Sequence, residues 1–285
     1  MNQTTLKESL MITGGVGLHS GQPTRVVFYP AEAGEGVVFH RLDQDVKIPA
    51  TYQYAKSSPL CTTLQKDGVI LQTVEHLLSV CSGMGIDNLL VELESEEVPI
   101  LDGSGYEFFK RFSEVGLREL AAPKQGILVK KPVLYQKGDI EILATPSANP
   151  VFSFAIDFAH QQLGQQEYHF QFTEAKYAEE IVRAKTFCLE RDVETLQAKG
   201  LIKGGSEENA IILGEDGQFK NMEVLTWLNE PNLHKILDQI GDFYLARNLR
   251  ILGNVHSHKS GHSSHLEFIR LLMEDRQDAW ELVEL

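Results

Sequence analysis

Stretches of two-residue periodicity alternate along this chain with stretches of helical periodicity, and the sequence of elements is run through twice. Ile12 to Val16, Thr24 to Tyr29 and Val37 to His40 read as strands, rich in β-branched and aromatic residues. The Gly14-Gly15-Val16-Gly17 run reads as a hairpin turn, since no Gly-Lys-Ser/Thr follows to complete a phosphate loop. A helix is expected from Thr73, placed to cap it, with Val74, Leu77, Leu78 and Cys81 sharing one apolar face. Asn88 to Leu93 reads as a buried strand, and Tyr106, Phe109 and Phe112 mark the core face of a second helix. Ala121-Ala122-Pro123-Lys124 punctuates the pattern and puts the expected domain junction there, dividing the chain into units 1–122 and 123–285.

The second unit repeats the plan. Ile127 to Tyr135, Ile140 to Ala144, Phe152 to Phe158 and Tyr168 to Phe172 read as strands, with Phe152, Phe154, Ile156 and Phe158 on one face. Helices are expected at Glu174 to Ala184, Leu233 to Ala246 and Leu266 to the C-terminus. Between them, about 187–213 forms an insert with a helix at Asp192 to Lys199, closed by Gly200, and a strand at Asn209 to Leu213. Strands first and helices after, twice over, predict an α+β fold of two similar domains rather than a wound parallel sheet.

One helix carries chemistry on its polar side. At about 100° per residue, with His234 at 0°, Asp238 falls near 40°, Asp242 near 80° and Lys235 near 100°. Leu233, Ile236, Leu237, Ile240, Phe243 and Tyr244 occupy the opposite side, so core and chemistry are separated. His234 and Asp238, at i and i+4, can reach one ion, although an isolated His-x-x-x-Asp is more often a solvated face or a simple hydrogen-bonded pair. A second half-site, Glu75-His76, sits on the polar side of the first helix and bears on that choice. His76, His234 and Asp238 make three ligands and leave a fourth position for water, the arrangement of catalytic zinc. Glu75 lies in the first helical turn, where the dipole favours charge, so it is expected to stay ionised and to act as a base. Because two ligands are separated by more than half the chain, the site is expected between two domains. His256 to His265 holds four of the ten histidines. It reads either as a metal-binding tract or as a loop in which one imidazole acts as an acid and the rest face solvent.

Composition narrows the function. A net charge of −14 argues against nucleic acid as a partner, which calls for a basic stripe. At 285 residues and 42% hydrophobic content the chain suits two globular domains. No apolar run of about 18 residues is present for a transmembrane helix, and Met1 to Glu8 lacks a signal-peptide core, so a cytoplasmic protein is expected. Three cysteines give no even disulfide framework and fit a reducing compartment.

Taken together, these segments resemble the zinc-dependent UDP-3-O-acyl-N-acetylglucosamine deacetylases of lipid A synthesis. The likeness runs through Gly15-Val16-Gly17-Leu18-His19-Ser20-Gly21, Leu60-Cys61-Thr62-Thr63, Thr73-Val74-Glu75-His76 and Pro99-Ile100-Leu101-Asp102-Gly103-Ser104. It continues through Arg183-Ala184-Lys185-Thr186-Phe187, Gly204-Gly205-Ser206, His234-Lys235 with Asp238 and Asp242, and Lys259-Ser260-Gly261-His262.

The resemblance implies two domains whose helices pack together between the sheets in a sandwich, with a zinc site at the seam. It makes His76, His234 and Asp238 the zinc ligands, with one zinc per chain and iron(II) an alternative in the cell. Glu75 becomes the general base and His262 the acid or electrostatic partner, oriented by Asp242, while Thr186 and Lys235 stabilise the oxyanion. The insert implies a passage for the acyl chain, with Phe187, Val193, Ile202, Ala210 and Ile212 as walls and Leu60, Cys61 and Ser206 nearby; packing of the insert's own small core is the competing account. Lys235 and Lys259 are the positive groups available to hold a nucleotide on an acidic protein. The implied partner is an acylated UDP-amino sugar, with no partner protein and a monomeric state expected. Glu207-Glu208 and Leu233 stand where the family usually has Leu-Asp and Arg, which leaves open a zinc amidohydrolase for another acylated amino sugar.

Overall fold

A computed structural model of the chain describes residues 1–58 and 60–285. Two five-stranded sheets are built to one topological plan. The first has the order Leu10–Val16, Pro23–Pro30, Leu89–Leu93, Val37–Arg41, Val46–Pro49. The second has the order Val133–Lys137, Ile140–Thr145, Asn254–His258, Val151–Asp157, Gln165–Gln171. In each, the strand latest in sequence enters the middle, antiparallel to one neighbour and parallel to the other. The α+β architecture expected from the alternating pattern is therefore present, in duplicate.

The helices are α1 (Glu75–Met84), α2 (Tyr106–Val115), a single turn α3 (Glu174–Lys176), α4 (Glu190–Ala198), α5 (Glu230–Phe243) and α6 (His262–Arg270). Helix α1 precedes the central strand of the first sheet and α5 that of the second. The two helices pack directly on each other, and α5 also rests on α6 and on the Val151–Asp157 strand. Phe28 of the first sheet meets Phe108 and Phe112 of α2 edge-on, with ring centroids at 6.1 and 4.9 Å. Phe243 of α5 meets Phe152 and Phe268 at 6.5 and 5.4 Å. Each helix layer thus covers its own sheet while α1 and α5 join the two.

Gly241 permits that joint. A Cβ there would collide with the Glu75 carbonyl and come 3.0 Å from the Ser79 amide nitrogen, so a larger residue would push α5 off α1. Tyr177 fills the space over Gly83 on the other side and donates its hydroxyl to Ser79 Oγ at 3.0 Å.

Several expected elements take other forms. Thr73 does not cap α1: Val74 holds the cap position without a side-chain bond, while Thr73 has φ +58° and donates its hydroxyl to the buried Glu97 carboxylate. Gly14 to Val16 lie within the Leu10–Val16 strand at a register shift, and only Gly17 of the run enters the turn, its N–H donating to the Gln22 carbonyl and the Gly21 N–H to that of Gly17. In α2 the fully buried rings are Phe108 and Phe112, with Tyr106 and Phe109 half-buried. The expected strand over 127–135 is two, Gln125–Val129 and Val133–Lys137, separated by Pro132, which cannot donate to a ladder. Glu174 to Ala184 is one α-turn followed by a π-turn at Tyr177–Ile181. The C-terminus is not a helix throughout: after α6 and a π-turn, Trp280–Glu284 pairs with Gln125–Val129 and satisfies that strand's backbone. Ala121 to Pro123 ends the Leu117–Pro123 strand, paired with Asn2–Leu6, so that stretch is regular structure rather than loose linker.

Candidate metal centre and adjoining cavity

The polar side of α5 is not a solvated face. His234, Asp238 and Asp242 are 2%, 1% and 1% exposed, because α1 lies across them. Helical spacing stacks the three along α5, and the first turn of α1 presents Glu75 and His76 opposite. His76 Nε2 and His234 Nε2 come to 3.8 and 3.3 Å from one oxygen, Asp238 Oδ1. The two imidazole rings stand nearly perpendicular, 5.0 Å apart.

The protonation pattern suits a cation. His234 Nδ1 lies 2.9 Å from the Ala184 carbonyl, which fixes the tautomer with the Nε2 lone pair facing Asp238. Burial disfavours the charged form of both imidazoles, pulling His76 down to about 3 and His234 below its usual value. Burial opposes ionisation of Asp238 as well, but the surrounding His234 and Lys235 outweigh it and hold its carboxyl well below the usual range. Asp238 Oδ2 accepts from Lys235 Nζ at 2.7 Å. Asp238 Oδ1 is buried without a hydrogen-bond donor. An orphaned carboxylate oxygen facing the Nε2 atoms of two imidazoles that burial keeps neutral is a site for a positive ion, and the His/His/Asp donor set fits a divalent metal.

Beside it lies a hydrogen-bonded chain. Glu75 Oε2 accepts the Thr62 N–H at 3.0 Å, and Glu75 Oε1 sits 3.9 Å from His262 Nε2. His262 Nδ1 is 2.9 Å from Asp242 Oδ2, which also takes His265 Nδ1 at 2.7 Å. Thr62 Oγ1 donates to Asp242 Oδ1 and lies 3.3 Å from His262 Nδ1. Burial alone would lower the His262 pKa, but the carboxylates of Asp242, Glu75 and Asp238 push it up to about 10. For Glu75 desolvation prevails: despite its place in the first turn of α1, burial drives its carboxyl well above the usual range, against the ionisation expected from the helix dipole.

The His256 to His265 segment is not one continuous loop. His256 sits on the Asn254–His258 strand with Nδ1 3.1 Å from Ser153 Oγ, while His262 and His265 open α6. His265 is fully buried rather than solvent-facing. It and Thr62 are the functional neighbours that sequence reasoning passed over; the i, i+3 spacing of His262 and His265 is the signal that could have marked the former.

An apolar cavity of about 280 Å³ adjoins the centre. The insert builds it as a small βαβ unit: Phe187–Leu189 pairs in parallel with Ile211–Leu213, and α4 crosses between them. Val193 and Leu196 of α4 face the opening, as do Ile202, Ser206, Ala210 and Ile212. Thr186, expected at the oxyanion, also lines it, as do Phe187 and Leu60, joined by Leu18 and His19 from the first half. Phe187 is shared with the centre, its ring 6.3 Å from His234 and 5.8 Å from Lys235 Nζ. Cys61 is buried outside this lining, with Sγ 3.7 Å from Thr63 Oγ1. Lys259 is also apart from it and pairs with Asp157 at 2.7 Å.

A buried two-histidine, one-carboxylate cluster flanked by a carboxylate and an imidazole defines a metallohydrolase type of site. The model of the family described as LpxC, UDP-3-O-acyl N-acetylglycosamine deacetylase, matches residues 3–274. The chain is 37% identical over 285 residues to the UDP-3-O-acyl-N-acetylglucosamine deacetylase of Sulfurimonas denitrificans, covering all of this chain (100%) and 96% of that one. It is 41% identical over 276 residues to the enzyme of the same name from Myxococcus xanthus, covering 96% and 87% of the two chains. With that of Vibrio parahaemolyticus the identity is 40% over 286 residues, covering 99% and 92%. The chain belongs to the UDP-3-O-acyl-N-acetylglucosamine deacetylase family.

Proposed function

We propose that this protein hydrolyses the N-acetyl group of UDP-3-O-(3-hydroxyacyl)-N-acetylglucosamine, releasing acetate and UDP-3-O-acyl-glucosamine in the committed step of lipid A biosynthesis. The observation that carries the reading is the juxtaposition of the His76/His234/Asp238 cluster with Glu75, His262 and an apolar cavity sharing Phe187. His76, His234 and Asp238 would hold one zinc ion, with iron(II) the alternative for the same donors, which would supply Lewis acidity and make a water more acidic.

The chain's own residues do the rest. Burial favours the protonated form of Glu75, so it serves as base where positive charge at the ligand set and on His262 offsets that burial; anchored through Oε2 by the Thr62 amide, it then has Oε1 free to take a proton from the attacking water. Asp242 holds the Nδ1 proton of His262, so the Nε2–H points between Glu75 and Asp238, where it can protonate the departing amine. Thr186 and Lys235 meet the charge that develops on the carbonyl oxygen. The insert cavity takes the acyl chain, with Leu60, Phe187, Val193, Ile202, Ser206, Ala210 and Ile212 as its walls. Cys61 lies near the substrate without lining the cavity, and Lys259 is the surface cation offered to the diphosphate. Domains 1–122 and 123–285, a monomeric state and a cytoplasmic location complete the reading. Among the described residues no helix is long and apolar enough to cross a membrane.

Acetate release from the acylated UDP-sugar, with and without chelator, tests it. Turnover that is lost with the metal and restored by zinc is expected. Folded, zinc-loaded protein that leaves this substrate intact would overturn the assignment.

A further inference from the structure

Glu97 is fully buried and takes no part in the chemistry above. Its Oε1 accepts the His19 N–H and the Thr73 hydroxyl, both at 2.8 Å, and its Oε2 accepts the Ser20 N–H at 2.8 Å. Gly17 makes room for it, since a Cβ there would strike the carboxylate. These donors belong to two different parts of the site. Leu18 and His19 form part of the cavity wall, and the Leu18 carbonyl takes the Gly204 N–H at 3.0 Å, binding that wall to the insert. Thr73, held at φ +58°, is the hinge from which the chain enters α1, two residues before Glu75 and three before His76. Backbone bonds between Gln72 and the Glu96–Val98 segment fasten the same hinge.

We infer that Glu97 is a positioning residue that sets the acyl-cavity wall in register with the first turn of α1, so that a seated acyl chain aligns Glu75 and His76. The inference rests on the acyl-chain reading of the cavity. A carboxylate suits this role because it accepts from all three donors at once. Glutamine offers one acceptor oxygen and sets an NH2 group against a donor on the other side. A buried anion left with fewer donors is strongly disfavoured, so the bonds act as one unit. Displacement of reacting groups by about 1 Å is enough to cost about a hundredfold in rate.

The test uses full-length, zinc-loaded Glu97→Gln and two UDP-sugar substrates, one with a long 3-hydroxyacyl chain and one with acetyl in its place. For the parent protein kcat is expected to favour the long chain. In Glu97→Gln the long-to-short kcat ratio should fall about tenfold at unchanged zinc content. Equal losses for both substrates mark a merely structural role and overturn the inference. A parent protein that does not distinguish the two overturns the cavity reading and the inference with it. If Glu97→Gln fails to fold by circular dichroism, Thr73→Val and Thr73→Ser decide. Valine should lower the ratio and serine, which keeps the hydroxyl, should restore it; the same ratio in both sinks the proposal.

Discussion

One helical turn apart on α5, Asp238 and Asp242 each gather two histidines, yet the two clusters are built for different work. Asp238 faces His76 and His234 with Oδ1 bare of any donor, and burial holds both imidazoles neutral. Asp242 has both oxygens filled, by Thr62, His262 and His265, and its charge helps to keep His262 protonated. On the proposed reading, the same residue types make a ligand set in one place and a proton donor in the other. What separates them is donor supply: a carboxylate oxygen with no N–H or O–H in reach needs a cation, and one already hydrogen-bonded polarises its partner instead.

The sharpest break in this comparison is Asp238→Ala, expected to abolish metal binding and lower kcat by at least about 10³-fold; elemental analysis showing full zinc would return Asp238 to a structural role. Glu75→Ala should retain the metal and lower kcat by about 10²- to 10⁴-fold, so loss of zinc in that variant would blur the division between ligand and base. Asp242→Asn tests the second cluster. Because the carboxylate favours the charged imidazole, its removal lowers the His262 pKa and shifts the basic limb of the kcat profile to lower pH, with a loss of about 10²-fold. A basic limb that stays in place would detach His262 from that limb. The mildest change is His265→Gln, which removes one donor from Asp242 and should cost about tenfold with zinc content intact. A zinc-depleted His265→Gln would show that the two clusters are not separable.

Much of the centre was legible because α5 writes its chemistry in local spacing. His234, Asp238 and Asp242 at four-residue intervals, opposite a continuous apolar stripe, place three polar groups on one side of any helix. Glu75-His76 was legible for the same reason at the start of α1. The outer neighbours were harder to read. Thr62 lies in a short irregular run with no periodicity to place it, and His265 looked like one more histidine in a polar tract until α6 turned it inward. Glu75 shows a local rule overruled: a first-turn carboxylate is favoured by the helix dipole by at most a few tenths to 1 kcal/mol at the surface, whereas desolvation of a fully buried group exceeds that. The elements misjudged at their edges, the π-turn at Tyr177–Ile181 and the strand at Trp280–Glu284, answer to distant partners, Ser79 and the Gln125–Val129 strand.

Read alone, the sequence determined the α+β class, the repeated strand-then-helix order, the helices that carry the site and the residues of the candidate ligand set and base, because each follows from periodicity within a few residues. Only the tertiary structure decided that α1 crosses α5 at Gly241, that Asp238 keeps an orphaned oxygen while Asp242 does not, and that Glu97 joins the cavity wall to the hinge of α1. Those features depend on which groups meet across stretches of chain from a few tens of residues to more than half its length, and on how far water is excluded between them, and neither is encoded in the spacing of any one segment.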